Sequence, residues 1–110
     1  MNKMEIGETL YVTTREDFRK WLEKHHQTKK EIWLIAYKKA TKKPSIIFHD
    51  AVEEAMCFGW TESIGFKGLD AERYVTRHTP RKPKSKWAEK NKERARKLIA
   101  EGRMSPAGQA

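Results

Sequence analysis

The sequence predicts a small α+β domain in which helices pack on a mixed or mostly antiparallel sheet. Two observations support this fold class. Apolar residues alternate in some segments, which is typical of strands, and recur with a helical period in others. The predicted order is strand, helix, strand, helix, strand, strand, helix. A chain of 110 residues is long enough for one domain with one core, and four Trp, four Phe and three Tyr supply large apolar side chains.

The first two elements are a short strand and an amphipathic helix. Residues 1–9 are expected to form a loose leader, and Leu10, Tyr11 and Val12 a short strand. Thr13 and Glu16 have the spacing of a capping box, which predicts a helix over about residues 14–26.

The next strand is apolar on both faces. Residues 31–39 place large apolar side chains in both phases, so we expect a central strand covered on both sides. Residues 38–44 form a basic connection. A helical pattern then begins near Phe48, and Gly59 is suited to end it in a left-handed conformation.

The following segment predicts a hairpin. Residues 60–66 and 73–79 alternate in polarity, and a turn is expected at 68–70. Ser85 can cap a long last helix that runs to about Glu101. The apolar stripe predicted for this helix consists of Trp87, Ala88, Asn91, Ala95, Leu98 and Ile99.

The domain is predicted to cover residues 10–104. Ser105 and Pro106 indicate the start of a further helix over residues 105–110, which we expect to be short or truncated.

A set of ordered motifs resembles the YdeI/OmpD-associated family of bacterial proteins, also called bacteriocin-protection proteins. The motifs cover about nine tenths of the chain. They are Glu31-Ile32-Trp33-Leu34, Lys38-Lys39, Lys43-Pro44-Ser45, Ala51-Val52-Glu53-Glu54-Ala55, Cys57-Phe58-Gly59-Trp60, Lys67 to Asp70, Arg77, Thr79-Pro80-Arg81, Ser85, Trp87, Asn91 and Leu98 to Met104.

The chain departs from this family at several positions. Thr61 and Glu62 stand where relatives usually have Ile-Asp, and His78 stands where they usually have an aromatic residue. Ile47 occupies a helix-capping position that is usually Ser or Thr. The resemblance implies a bacterial cytoplasmic protein linked to stress and antimicrobial-peptide resistance, and it brings no proven reaction, catalytic residue or cofactor.

Candidate ligand-binding residues lie between the two tryptophans of the hairpin and the last helix. Glu62 alternates in phase with Trp60, which predicts a core-facing carboxylate with Arg77 or Lys67 as its partner. Arg77, Arg81, Ser85 and Trp87 suggest an anion-binding corner. The complete candidate set is Trp60, Glu62, Ser63, Lys67, Arg77, His78, Arg81, Ser85 and Trp87. For both groups, a purely structural role is the competing interpretation.

The remaining reactive side chains favour packing over chemistry. Cys57 is the only cysteine, and acidic neighbours at the end of a helix would raise its pKa, so we interpret it as a packing residue. His25 is expected to be half-buried, and His26 and His49 exposed. No pair of histidines has the spacing of a helical metal site, and we predict no metal or cofactor.

The charge indicates an anionic partner. The formal net charge is +9, and residues 81–103 contain 10 Lys/Arg against three Glu. A solvated helix face is the competing interpretation of that segment. We expect a binding and stress-resistance protein with an anionic small molecule, an envelope component or a protein as its partner. A basic nucleic-acid-binding domain and a small enzyme with a Glu62/His78/Arg77 pocket are the alternatives. The chain has no apolar run long enough for a signal peptide or a membrane span.

Overall fold

A computed structural model describes residues 6–81 and 89–109, with the side chains of residues 63–65, 89–90, 107 and 109 left aside. Its elements confirm the α+β class and the predicted order. The strands are β1 (Thr9–Tyr11), β2 (Ile32–Tyr37), β3 (Trp60–Gly68) and β4 (Arg73–Pro80). The helices are α1 (Arg15–His25), α2 (Phe48–Cys57), α3 (Glu89–Ala100) and the short α4 (Pro106–Gln109), and a 3₁₀ turn spans Lys39–Thr41.

The described strands form one mixed sheet in the order β1-β2-β4-β3. β1 pairs with β2 in parallel, while β2 and β3 both pair with β4 in antiparallel orientation. The β3–β4 hairpin therefore inserts its second strand beside β2. This arrangement makes β2 and β4 the central strands, as the two-sided apolar pattern of β2 predicts.

The two faces of the sheet bury different cores. Ile32 and Leu34 of β2 face the helices and join the large core, which includes Phe18, Leu22 and Leu98. Trp33 and Ile35 point the other way and pack with Val75 in a second, smaller cluster. Residues 32–35 of β2 are all buried, because adjacent residues of a strand alternate between faces that are both covered.

Helix α1 begins one residue later than the predicted capping box indicates. The cap is Thr14, not Thr13, and its side-chain oxygen accepts a hydrogen bond from the amide of Asp17 at 3.1 Å. Either threonine satisfies the sequence rule for a helix start. The backbone selects Thr14 because that residue is extended, with φ −131° and ψ 156°.

Glycines end the two long helices on either side of the hairpin. Gly59 follows α2 with a φ of 76°, and Gly102 follows α3 with a φ of 73°. After α3, the amide of Gly102 donates to Ile99 O and that of Arg103 donates to Leu98 O. This pair of bonds is a Schellman motif, which needs a left-handed residue where Gly102 stands.

The last helix shows one error in the predicted apolar stripe. Ala95 and Leu98 are buried in the large core, but Ile99 is 52% exposed. Positions 98 and 99 are about 100° apart around a helix, so only one of them can face the core directly. Trp87 and Ala88 lie outside the described residues.

Candidate functional site

Trp60 and Glu62 lie where β3 meets the large core. Trp60 is buried, its indole nitrogen donates to His26 O at 3.3 Å, and its ring meets Trp21 edge-on at 5.8 Å. Glu62 is half-buried and pairs in register with His78 on β4. Residues paired in register share a face of the sheet, so Glu62 lies on the helix-covered side, as its phase predicts.

His78 is a neutral core residue. Its ring is fully buried, packs edge-on against Phe18 at 5.7 Å, and places Nε2 3.1 Å from the Thr76 hydroxyl. Nδ1 has no hydrogen-bond partner within the described part of the chain. Burial lowers the pKa of His78 from 6.5 to about 4, because an apolar environment disfavours the charged imidazolium.

Arg77 lies on the opposite face of the sheet from Glu62 and His78. Its Nε donates to Glu31 Oε1 at 2.5 Å, and its guanidinium lies 6.0 Å from the centre of the Trp33 ring. Lys67 is in register with Val75, which also belongs to that second face. The expected pairing of Glu62 with Arg77 or Lys67 across one face is therefore wrong, because β4 alternates between the two faces.

A bulge explains why simple alternation along β3 does not assign its partners. Glu62 pairs with His78, but Phe66 pairs with Thr76, so β3 uses four positions where β4 uses two. The two extra residues change which residues of β3 and β4 stand opposite each other, while Glu62 and Phe66 stay on the same face as their partners His78 and Thr76. Ser63 lies within this irregular stretch, and its side chain is outside the described set.

The anion-binding corner stays a prediction. Arg81 is half-buried, its amide donates to Gly59 O at 2.8 Å, and burial lowers the pKa of its guanidinium. Ser85 and Trp87, the other members of that corner, fall in residues 82–88, which the structure does not describe.

A cluster of ion pairs that we did not predict joins α1, α2 and the segment after α3. The Glu54 carboxylate is buried at its centre and contacts Arg15, Arg19 and Arg103, with nearest distances of 2.5, 2.9 and 2.9 Å. Arg103 also reaches Glu16 at 2.9 Å. We call this set the Glu54 cluster; it satisfies a buried charge that would otherwise be very costly.

A signal for the Glu54 cluster is present in the sequence. Arg15 and Arg19 are four residues apart, so they share one face of α1. Glu53 and Glu54 stand together among the small and apolar residues of α2, where an unpaired carboxylate would be disfavoured. The partner Arg103 is 49 residues from Glu54, and no local pattern connects these two positions.

An open charged cleft of about 400 Å³ separates α2 from α3. Its lining residues are His49, Glu53, Glu93, Arg94 and Lys97. His49 Nε2 lies 2.8 Å and Lys97 Nζ 3.7 Å from Glu53 Oε2. Burial alone would raise the pKa of Glu53, but the hydrogen bond from Arg15 and the neighbouring charges lower it. The cleft therefore contains a carboxylate whose charge is already compensated.

Cys57 and His26 have packing contacts. Cys57 is fully buried, and burial followed by the charge of Glu54 raises the pKa of its thiol, as expected for a packing cysteine. His26 is half-buried rather than exposed, because its ring packs against Phe58 at 5.0 Å and its Nδ1 lies 2.7 Å from Leu22 O.

Four lysines between β2 and α2 are exposed and differ from the paired arginines. Lys38, Lys39, Lys42 and Lys43 surround the 3₁₀ turn, and we call residues 38–43 the basic loop. Lys43 lies 4.8 Å from the centre of the Tyr37 ring. None of the four forms an ion pair with a carboxylate in residues 6–81 or 89–109.

The comparisons place this small basic α+β domain in a family. Residues 10–110 match the model of a domain of unknown function, DUF8412, and the chain belongs to that family. No curated protein and no solved structure matches the chain. Across the described residues, no helix is both long and apolar enough to cross a membrane.

Proposed function

We propose that this protein is a non-enzymatic binding domain whose partner is anionic. The distribution of paired and unpaired cations carries the proposal. Five arginines are neutralised by carboxylates: Arg15, Arg19, Arg73, Arg77 and Arg103. The basic loop instead presents four exposed lysines without such neutralisation. A concentrated, uncompensated charge attracts ligands of the opposite sign.

The catalytic alternative has less geometric support. It needs Glu62, His78 and Arg77 to converge on one pocket, but Arg77 lies on the second face of the sheet with Glu31. His78 is enclosed by core side chains, and its lowered pKa keeps it neutral near pH 7. A buried neutral histidine fits a structural role better than proton transfer to a ligand.

The nucleic-acid alternative depends on the basic segment of residues 81–103. Within the described part of α3, Lys97 lies beside Glu53, and Arg94 donates to Asn91. The carboxylate of Glu53 compensates the charge of Lys97, whereas Asn91 is neutral and leaves the charge of Arg94 unchanged. Compared with the described side chains of α3, the four exposed lysines of the basic loop are closer together in sequence and have no carboxylate partner among the described residues, so the basic loop carries the binding proposal.

The resemblance to the YdeI/OmpD-associated family supports a biological context for this binding. We propose a cytoplasmic bacterial protein that contributes to protection against bacteriocins or antimicrobial peptides. Because the net charge is +9, direct capture of cationic peptides is disfavoured. The protective route would use an anionic small molecule, an envelope component or a protein partner. Deleting the gene and measuring survival under a cationic peptide tests this context, and unchanged survival would contradict it.

Retention on immobilised heparin tests the binding proposal. The double variant Lys38→Gln/Lys39→Gln should elute at lower salt than the wild type. Each lost lysine contact should reduce the slope of log affinity against log salt concentration by about one. Lys20→Gln/Lys24→Gln is the matched control, since it removes the same charge from exposed positions of α1. Equal elution of the two variants would show that only net charge matters and would refute a site at the basic loop.

A further inference from the structure

An apolar patch lies beside the basic loop. Ile47 is 66%, Phe66 59% and Phe48 36% exposed, and these three residues define the patch. The Phe48 and Phe66 rings are 4.9 Å apart, and Phe66 meets Tyr74 edge-on at 5.0 Å. The patch therefore joins the start of α2 to the turn end of the β3–β4 hairpin.

The loop and the patch belong to the same end of the sheet. Lys38 follows β2 and donates its amide to Glu72 O, next to the start of β4. The amide of Tyr37 donates to the hydroxyl of Ser45, which holds the far side of the loop against the strand. Tyr74 pairs in register with Ala36, one residue before Tyr37. Glu72 thus contacts the basic loop through its backbone carbonyl oxygen.

Ile47 is an unfavourable choice for stability at its position. It is the N-cap residue of α2, and no side-chain hydrogen bond caps this helix. Ser, Thr, Asp or Asn at an N-cap stabilises a helix by about 1 kcal/mol relative to an apolar residue. Isoleucine here forgoes that bond and exposes a large aliphatic side chain, so folding alone does not explain it.

We propose that the basic loop and the apolar patch together dock on the surface of an anionic lipid bilayer. This inference rests on the proposed binding of an anionic partner and names its class. The lysines would lie among the phosphate headgroups, and Ile47 and Phe66 would enter the boundary between headgroups and acyl chains. Peripheral binding combines these two contributions, since neither a few lysines nor a small apolar surface suffices alone.

The composition of the patch favours lipid over nucleic acid. Single-stranded nucleic acids bind through flat aromatic platforms on which bases stack. Ile47, the most exposed member of the patch, offers no such platform. Phe66 already contacts the rings of Phe48 and Tyr74. An aliphatic side chain beside lysines matches the chemistry of an anionic membrane interface.

Co-sedimentation with lipid vesicles tests the inference. We expect the wild type to bind vesicles of phosphatidylcholine and phosphatidylglycerol in equal parts, and not vesicles of phosphatidylcholine alone. Lys38→Gln/Lys39→Gln should weaken the partition coefficient by about thirtyfold, because each lysine near an anionic surface contributes roughly fivefold. Lys20→Gln/Lys24→Gln should retain most of the binding.

Ile47→Ser separates apolar insertion from charge attraction. It should weaken binding to the anionic vesicles by about fivefold, while it should leave heparin retention unchanged. Because serine can cap α2, this variant should melt at or above the wild-type temperature, so a loss of binding would not reflect unfolding. Unchanged vesicle binding by Ile47→Ser would overturn the role of the patch.

Three further outcomes distinguish this inference from the proposed function. Heparin retention that depends on the basic loop, without binding to anionic vesicles, would overturn the lipid inference and leave an anionic partner of another class. Tight binding of a single-stranded oligonucleotide by a protein that ignores the vesicles would identify that class as nucleic acid. A wild-type protein that binds neither heparin nor anionic vesicles would overturn both proposals.

Discussion

The burial of His78 predicts a specific dependence of stability on pH. A histidine whose pKa falls on folding binds its proton more weakly in the folded state than in the unfolded state. Well above pH 6.5 the histidine is neutral in both states, and His78 causes no loss of stability. As the pH falls below 6.5, the unfolded state gains a proton first, and the free energy of unfolding decreases until the folded pKa of about 4 is reached.

The expected magnitude follows from the difference between the two pKa values. One pKa unit corresponds to about 1.4 kcal/mol. A shift from 6.5 to about 4 therefore removes about 2 kcal/mol of stability by pH 5 and about 3 kcal/mol by pH 4. Carboxylates with lowered pKa values, such as Glu53, add their own loss at low pH, so the contribution of His78 has to be isolated by substitution.

His78→Phe isolates this contribution. The variant keeps an aromatic ring against Phe18 but has no proton to bind. It leaves the Thr76 hydroxyl without its contact to Nε2, so it should be less stable near neutral pH by about 1–3 kcal/mol. Its free energy of unfolding should then fall less steeply than that of the wild type as the pH decreases, and the two curves should converge.

Urea denaturation monitored by tryptophan fluorescence at a series of pH values measures both curves. His25→Gln is the control, because it removes a half-buried histidine of α1 that contacts Trp21. The wild type and this control should lose stability in parallel, while His78→Phe should not. Parallel curves for the wild type and His78→Phe would show that His78 is solvated or paired, and would refute the buried neutral assignment.

Three other substitutions test the fold at separate places. Glu54→Gln should destabilise the protein by about 3–5 kcal/mol in thermal unfolding, because it leaves three arginines without their buried carboxylate. The control Asp70→Asn removes an exposed ion pair and should cost under about 1 kcal/mol. Equal effects of the two substitutions would contradict a buried cluster. Ile47→Ser should raise stability by about 1 kcal/mol through a new cap on α2, and a lower midpoint in urea would refute the capping argument. Gly108→Ala should destabilise by about 1–3 kcal/mol, because a Cβ would collide with the carbonyl of Cys57; an unchanged melting temperature would show that α4 does not pack there.

Local patterns predicted the elements whose own residues determine them. The two-sided apolar run of β2, the hairpin and the glycine after α2 all follow from periodicity or from a backbone conformation that suits glycine. The prediction that Ile99 is buried in the apolar stripe is wrong, because adjacent positions of a helix cannot both face one core. The short range of these rules explains both their success and their limits.

The candidate site depended on contacts between distant segments. The prediction places Glu62 correctly on the core side, but its pairing with Arg77 is wrong, because Arg77 is adjacent to His78, the register partner of Glu62, and so lies on the opposite face. The Glu54 cluster was missed because its arginines come from α1 and from the segment after α3. Charge composition predicts an anionic partner near the last helix, whereas we propose the basic loop as its site.

Chemical-shift mapping by NMR with a heparin-derived disaccharide tests the central proposal most directly. If the basic loop binds the anionic partner, the largest saturable amide shifts should fall within residues 38–48. They should vanish in Lys38→Gln/Lys39→Gln and persist in Lys20→Gln/Lys24→Gln. Shifts concentrated in α3, or no saturable shifts at all, would contradict a binding site at the basic loop.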